Sequence, residues 1–118
     1  MKSHIQPFSR AFTLVEIMVV VVIIGLLAAL AIPAFKRISA ASQDKAVLNN
    51  ARQLAYGADS YYLESGANYA ASTSLIGSSS YVKALSVVAG ETYPDYLTQG
   101  VTLTITGVGA ARTITYSP

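Results

Sequence analysis

One uninterrupted apolar run, residues 17–35, constrains this chain more than anything else in it. Its nineteen residues carry no charge and include Val19-Val-Val-Val-Ile-Ile24. A helix needs roughly 20 such residues to cross the hydrocarbon core of a bilayer. Glu16 stands alone immediately before the run. A carboxylate held at membrane depth costs on the order of 2.5–3.5 kcal/mol, so it calls for a partner. No Lys or Arg lies within a helical turn of it. The expected partner is therefore one created by processing or supplied by another molecule.

The rest of the composition limits what else the chain can be. The 118 residues support one domain at most. The chain is 53% hydrophobic but only 12% charged, against about 25% charged in an ordinary soluble domain. Once a long helix is set aside, about 50 residues remain, too few for a robust core without a staple or neighbours. There is no cysteine and a single His, which removes disulfides and argues against a structural zinc site. Two of the eight basic residues, Lys2 and Arg10, precede Phe12, where there is no acid; from Phe12 onward six basic side chains balance six acidic ones. With no concentrated basic patch, no nucleic-acid partner is expected.

Three readings of the front of the chain are open on topology. A secretory signal peptide would have a basic front, an apolar stretch and a small-residue cleavage site, for which Ala29-Leu30-Ala31 qualifies. A permanent signal anchor would keep the helix, its basic flank on the cytoplasmic side. Neither explains Glu16. The third reading rests on Ala11-Phe12-Thr13-Leu14-Val15-Glu16, the run to Gly25, then Ala28-Ala29-Leu30-Ala31-Ile32-Pro33 and Phe35. This stretch resembles the N-terminal signature of type IV pilins and of type II secretion pseudopilins. The resemblance is close over residues 10–35 and loose over the next thirty. It departs at one position, Ala11, where the family usually has Gly.

The resemblance implies that a prepilin peptidase cuts between Ala11 and Phe12 and that Phe12 becomes N-methylated. It implies that Glu16 serves assembly and register, and that Gly25 and Pro33 loosen the helix. The physical logic agrees. Cleavage creates a positive amine at Phe12, one turn from Glu16, and in a filament that amine can meet Glu16 of an adjacent subunit. Pairing relieves a buried carboxylate and specifies axial register. Pro33 removes a backbone donor and clashes one turn back.

Beyond Pro33 helical spacing continues. Val47, Leu48, Ala51, Leu54, Ala55, Ala58, Tyr61 and Tyr62 form one stripe. We expect a helix from Phe12 to Glu64, ending at Ser65-Gly66, with Gly57 a weak point inside it. Residues 67–90 read mainly as surface loop, with Leu75-Ile76 tucked in and an edge strand near its end. Val101, Leu103 and Ile105 alternate with threonines, Gly107-Val-Gly109-Ala turns the chain, and residues 112–116 return with the same alternation. That is a β-hairpin, to be supported by the helix and a third strand. Many members of the family close the tail with a disulfide; this chain cannot.

Catalytic chemistry has no support. His4 lies in the expected leader, and no phosphate loop, metal cluster or nucleophile motif is present. Ser78-Ser79-Ser80 has no neighbouring base in sequence and reads as solvated loop. Glu91 and Asp95 flank Tyr93-Pro94, where some pseudopilins bind calcium; two carboxylates fall short of the six to eight oxygens calcium takes. The eight tyrosines suit packing and interfaces rather than charge transport.

The expected fold is α+β and type IV pilin-like: a long N-terminal helix whose outer half carries an antiparallel sheet of two to four strands. Its parts are a leader (1–11), an apolar spanning or filament-core helix (12–35), an amphipathic continuation (36–65) and a head (66–118). The expected function is a non-enzymatic pilin that polymerises with identical subunits into a surface filament and needs no cofactor. Its partners are the lipid bilayer before assembly, the peptidase, and an inner-membrane assembly platform with its ATPase. Its path runs from the inner membrane to the cell surface. The alternatives are a pseudopilin building a short periplasmic pseudopilus, and a membrane-anchored or secreted binding module.

Overall fold

The computed structural model describes residues 1–5 and 11–118. The chain divides into two units, Met1–Lys36 and Arg37–Pro118. One helix, α1 (Leu14–Ser65, 52 residues), contributes to both. It starts two residues later than the sequence pattern suggests and ends within one residue of expectation.

In the first unit α1 is a bare apolar helix. Every side chain from position 14 to 35 is exposed except the half-buried Ala28. Pro33 lies inside the helix, where it cannot donate to the carbonyl one turn earlier. It is the one helix among the described residues that is long and apolar enough to cross a membrane.

The second unit is a packed α+β head. From α1 it buries Val47, Ala51, Leu54, Ala58 and Tyr62, a row at three- and four-residue spacing, against Ala70, Leu75, Leu97, Leu103, Ile105 and Val108. Each large aliphatic side chain so buried contributes about 1.5–3 kcal/mol relative to leaving it in water. α1 stops because Gly66 turns left-handed at φ +71, its amide donating to the Tyr62 carbonyl at 2.9 Å.

Four short strands and one helical turn follow: β1 (Tyr69–Ala71), α2 (Ser72–Leu75), β2 (Tyr96–Thr98), β3 (Leu103–Val108) and β4 (Arg112–Tyr116). They form two separate two-stranded antiparallel sheets, β1–β2 and β3–β4. In the second, Leu103 pairs with Tyr116, Thr104 with Thr115 and Ile105 with Ile114. Leu103 and Ile105 face the core while Thr104 and Thr106 face out. A register shift between Ile105 and Val108, where Gly107 adopts φ +74, resets the alternation so that Val108 also faces the core.

Four expectations need correction. The third strand beside the hairpin is a single antiparallel bridge, Thr92 to Thr106, closed at 2.8 and 3.1 Å. Residues 70–74, read as surface loop, hold the end of β1 and most of α2, because the backbone of Ala70 and Ala71 finds partners in Leu97 and Tyr96, far along the chain; Leu75 is tucked in as expected. The edge strand expected near residue 90 is absent; residues 81–89 are irregular apart from a parallel bridge between Ile76 and Val82. Gly57 is no weak point. It is buried, and a Cβ built there would stand 2.8 Å from Val82 Cγ2 and 3.3 Å from Tyr81 Cβ, so the missing side chain lets that bridge sit against α1.

Candidate functional site

At the start of α1 the chain builds its own cap. The Glu16 amide donates to Thr13 Oγ1 at 3.2 Å, and the Thr13 amide donates to Glu16 Oε2 at 3.1 Å. This reciprocal pair is a capping box, which satisfies two of the amides that a helix start leaves unbonded. The first backbone bond of the helix follows, from Ile17 N–H to the Thr13 carbonyl. Ala11 and Phe12 therefore lie outside the helix, with Phe12 84% exposed. Glu16 has no cation within a turn but does have a local partner, contrary to expectation: the backbone N–H of Thr13. The signal was in the sequence, since Thr13-x-x-Glu16 before an apolar run is the pattern of such a box.

Gly25 stands on the exposed apolar helix with no atom within 4 Å of where its Cβ would be. Pro33 lies further along the same helix, in the same exposed setting. Val15, Met18, Val19, Val22 and Ile23 line a wholly apolar surface on this stretch. Phe12, Glu16, Gly25 and Pro33 are thus all displayed along one exposed segment. The leader expected over residues 1–11 falls partly on residues 6–10, which lie outside the described residues.

In the head, Glu91 does something no motif announced. It is only 4% exposed, and its carboxylate accepts from the amides of Val88 (3.1 Å) and Ala89 (2.7 Å) and from the Tyr93 hydroxyl (2.9 Å). Asn50 on α1 completes the cluster, donating to the Ser86 carbonyl at 2.8 Å and to the Tyr93 hydroxyl at 3.1 Å. Burial alone would raise the Glu91 carboxyl, but the amides of Ala89, Glu91 itself and Val88, with Tyr93, outweigh it and hold it below the ordinary carboxylate range. Burial, opposed by the Asn50 hydrogen bond and reinforced by the Glu91 hydrogen bond and charge, pushes Tyr93 up to about 12. The cluster pins residues 86–93 to the helix. Glu91 is thereby engaged by its own chain, and Asp95 is not among its partners.

The remaining candidates have structural settings. Ser78 and Ser79 are exposed in a turn. Tyr61 meets Tyr62 and Tyr81 edge-on, with ring centroids 6.4 and 6.0 Å apart, and the Tyr81 hydroxyl donates to Glu64. Tyr56, Tyr69 and Tyr96 are exposed, and among the described residues no aromatic contact links them to that trio. Arg112 of β4 pairs with Asp44 of α1 at 2.8 Å and donates to Gln43 at 3.2 Å, fastening the hairpin to the helix.

The comparisons with known proteins bear on this geometry. Residues 8–32 match the family model described as the prokaryotic N-terminal methylation motif. The chain is similar to the type IV major pilin protein PilA of Myxococcus xanthus, 42% identical over 62 residues, which is 52% of this chain and 28% of that protein. It is also similar to the fimbrial protein EcpC of Eikenella corrodens, 34% identical over 92 residues, 75% of this chain and 60% of that protein. The matches therefore span less than two thirds of the length of either relative. No solved structure gives a significant match.

Proposed function

We propose that this chain, whose front carries the methylation motif of prokaryotic prepilins, is the subunit of a type IV pilus-like filament. The observation that carries the reading is the joining of two unlike parts. One is an apolar helix with no cover of its own, led by that motif; the other is a head with a closed core. With the head's core closed within itself, the apolar helix is left to be buried by something else, first lipid and then sister helices.

In this reading the precursor sits in the inner membrane with its leader inside. A prepilin peptidase removes residues 1–11, leaving Phe12 as the new, N-methylated end. Residues 12–35 form the filament core, 36–65 carry the head, and 66–118 face solvent. An assembly platform driven by an ATPase draws processed subunits into a fibre of identical copies at the cell surface. The mechanism is packing. Glu16 meets the Phe12 amine of a neighbour and sets register, because a carboxylate left unpaired at that depth is costly. Gly25 and Pro33 mark where the helix yields as subunits close up, Pro33 having no amide to bond one turn back.

Mass spectrometry of the mature N-terminus, on protein sheared from the cell surface, tests the reading. A methylated Phe12 in long fibres is the expected result. The same end found only in the cell envelope would indicate a pseudopilus, and an end at Ile32 or Met1 would overturn the filament reading. Glu16→Ala is expected to insert into the membrane normally yet give few fibres; fibre yield equal to wild type would remove the register role.

A further inference from the structure

We propose that Thr13 and Glu16 act before assembly as a stop, holding the Ala11–Phe12 bond outside the helix where a membrane peptidase can take it up. The inference rests on the processing reading above and names a further determinant of that step, Thr13. Hydrolysis breaks the bond between the Ala11 carbonyl carbon and the Phe12 nitrogen: the oxygen of a water adds to the carbon, leaving Ala11 a carboxylate, and the two protons of that water pass to the nitrogen, leaving Phe12 an ammonium. It requires an accessible carbonyl, and a bond folded into a helix is reached only after local opening.

The observations bear on this bond directly. The box closes at Thr13 and Glu16, α1 begins at Leu14, and both residues flanking the bond lie outside the helix. The matched methylation motif, residues 8–32, spans this boundary. At the edge of a membrane, amides deprived of the box have little water to bond and are best satisfied by carbonyls one turn earlier. Loss of the box therefore lets the helix grow backward through Phe12 and Ala11, drawing the scissile bond into it. Thr13 is a positioning residue: it touches no reacting atom and acts by fixing where the helix ends. Glu16 contributes here as a hydrogen-bond acceptor, a role separate from its charge in the filament.

The test is the initial rate at which a prepilin peptidase cuts the full-length precursor in detergent or in lipid vesicles, followed by mass. Thr13→Val, which keeps the shape and loses the acceptor, is expected to slow cleavage about fivefold, the population shift that loss of an ordinary N-cap implies. Thr13→Ser should restore the wild-type rate. Glu16→Gln, which keeps an acceptor for the Thr13 amide, should be cut at nearly the wild-type rate, whereas Glu16→Leu should be slowed as Thr13→Val is. Circular dichroism of each variant checks that the head is intact. If the wild-type precursor is cut between Ala11 and Phe12 while Thr13→Val is cut as fast, the stop is overturned and the filament reading stands. If the wild type is not cut there at all, both fall.

Discussion

The two units spend their apolar residues in opposite ways. From Arg37 onward the chain buries a compact set, with Val47, Leu54, Leu75, Ile105 and Val108 fully enclosed. In Met1–Lys36 the large apolar side chains, Phe12 through Phe35, remain on the surface. Hydrophobic burial dominates folding, so a sequence that leaves this many aliphatic groups open is folded for a second environment. The same contrast extends to polar groups. In the head, the buried carboxylate of Glu91 is satisfied from several directions; in the apolar helix, polar side-chain bonding is concentrated at the Thr13–Glu16 box that starts it.

Substitutions in the two units should therefore have effects that do not mix. The largest expected effect is in the core: Leu54→Ala, at a site with no exposed surface, should cost the head about 3 kcal/mol, as large-to-small core changes do. Val20→Ala should leave the same unfolding transition unmoved. Urea unfolding of both variants in detergent, read from tyrosine near-UV signals, measures this; a core loss below about 1 kcal/mol would break the comparison.

Next is Glu91. Glu91→Ala leaves the Val88 and Ala89 amides without an acceptor and should cost about 2 kcal/mol. Its pH dependence sharpens the point. A carboxyl held below its ordinary value stabilises the fold above the unfolded value of about 4.3, and that stability is lost as pH falls through the folded value. Tyr93, raised to about 12, contributes below its ordinary value of about 10, and its contribution fades as pH rises from 10 toward 12. Melting temperature against pH should therefore drop at both ends, and Glu91→Gln should flatten the acid limb.

The smallest effect is expected at Arg112→Ala. The pair with Asp44 is 37% and 43% exposed on its two sides, and pairs so open to solvent are worth less than about 1 kcal/mol. A shift above 2 kcal/mol in the same urea titration would show that the hairpin depends on this fastening far more than on its core side chains.

What could be read from the sequence follows the same divide. The apolar run, the stripe from Val47 to Tyr62 and the hairpin, expected from Val101 and found from Leu103, were legible because each repeats one period long enough to be seen. The box at Thr13 and Glu16 is equally local, but it rests on backbone donors, which charge patterning does not reveal. The middle of the head was not legible. β1 has three residues and finds its partner only at Tyr96–Thr98, so its conformation is set by a contact that no window of sequence contains. Glu91 has the same difficulty: a solitary carboxylate gives no hint that it will turn back on the amides of Val88 and Ala89.

The clasp made by Glu91, Tyr93 and Asn50 has a consequence for how the head comes to be. It is closed by hydrogen bonds alone, in a chain without cysteine. Thiol oxidation and reshuffling take seconds to hours and need an oxidant; this clasp needs neither. It can shut on the timescale of folding itself, in any compartment, and if pulled open it can shut again with no covalent bond to remake.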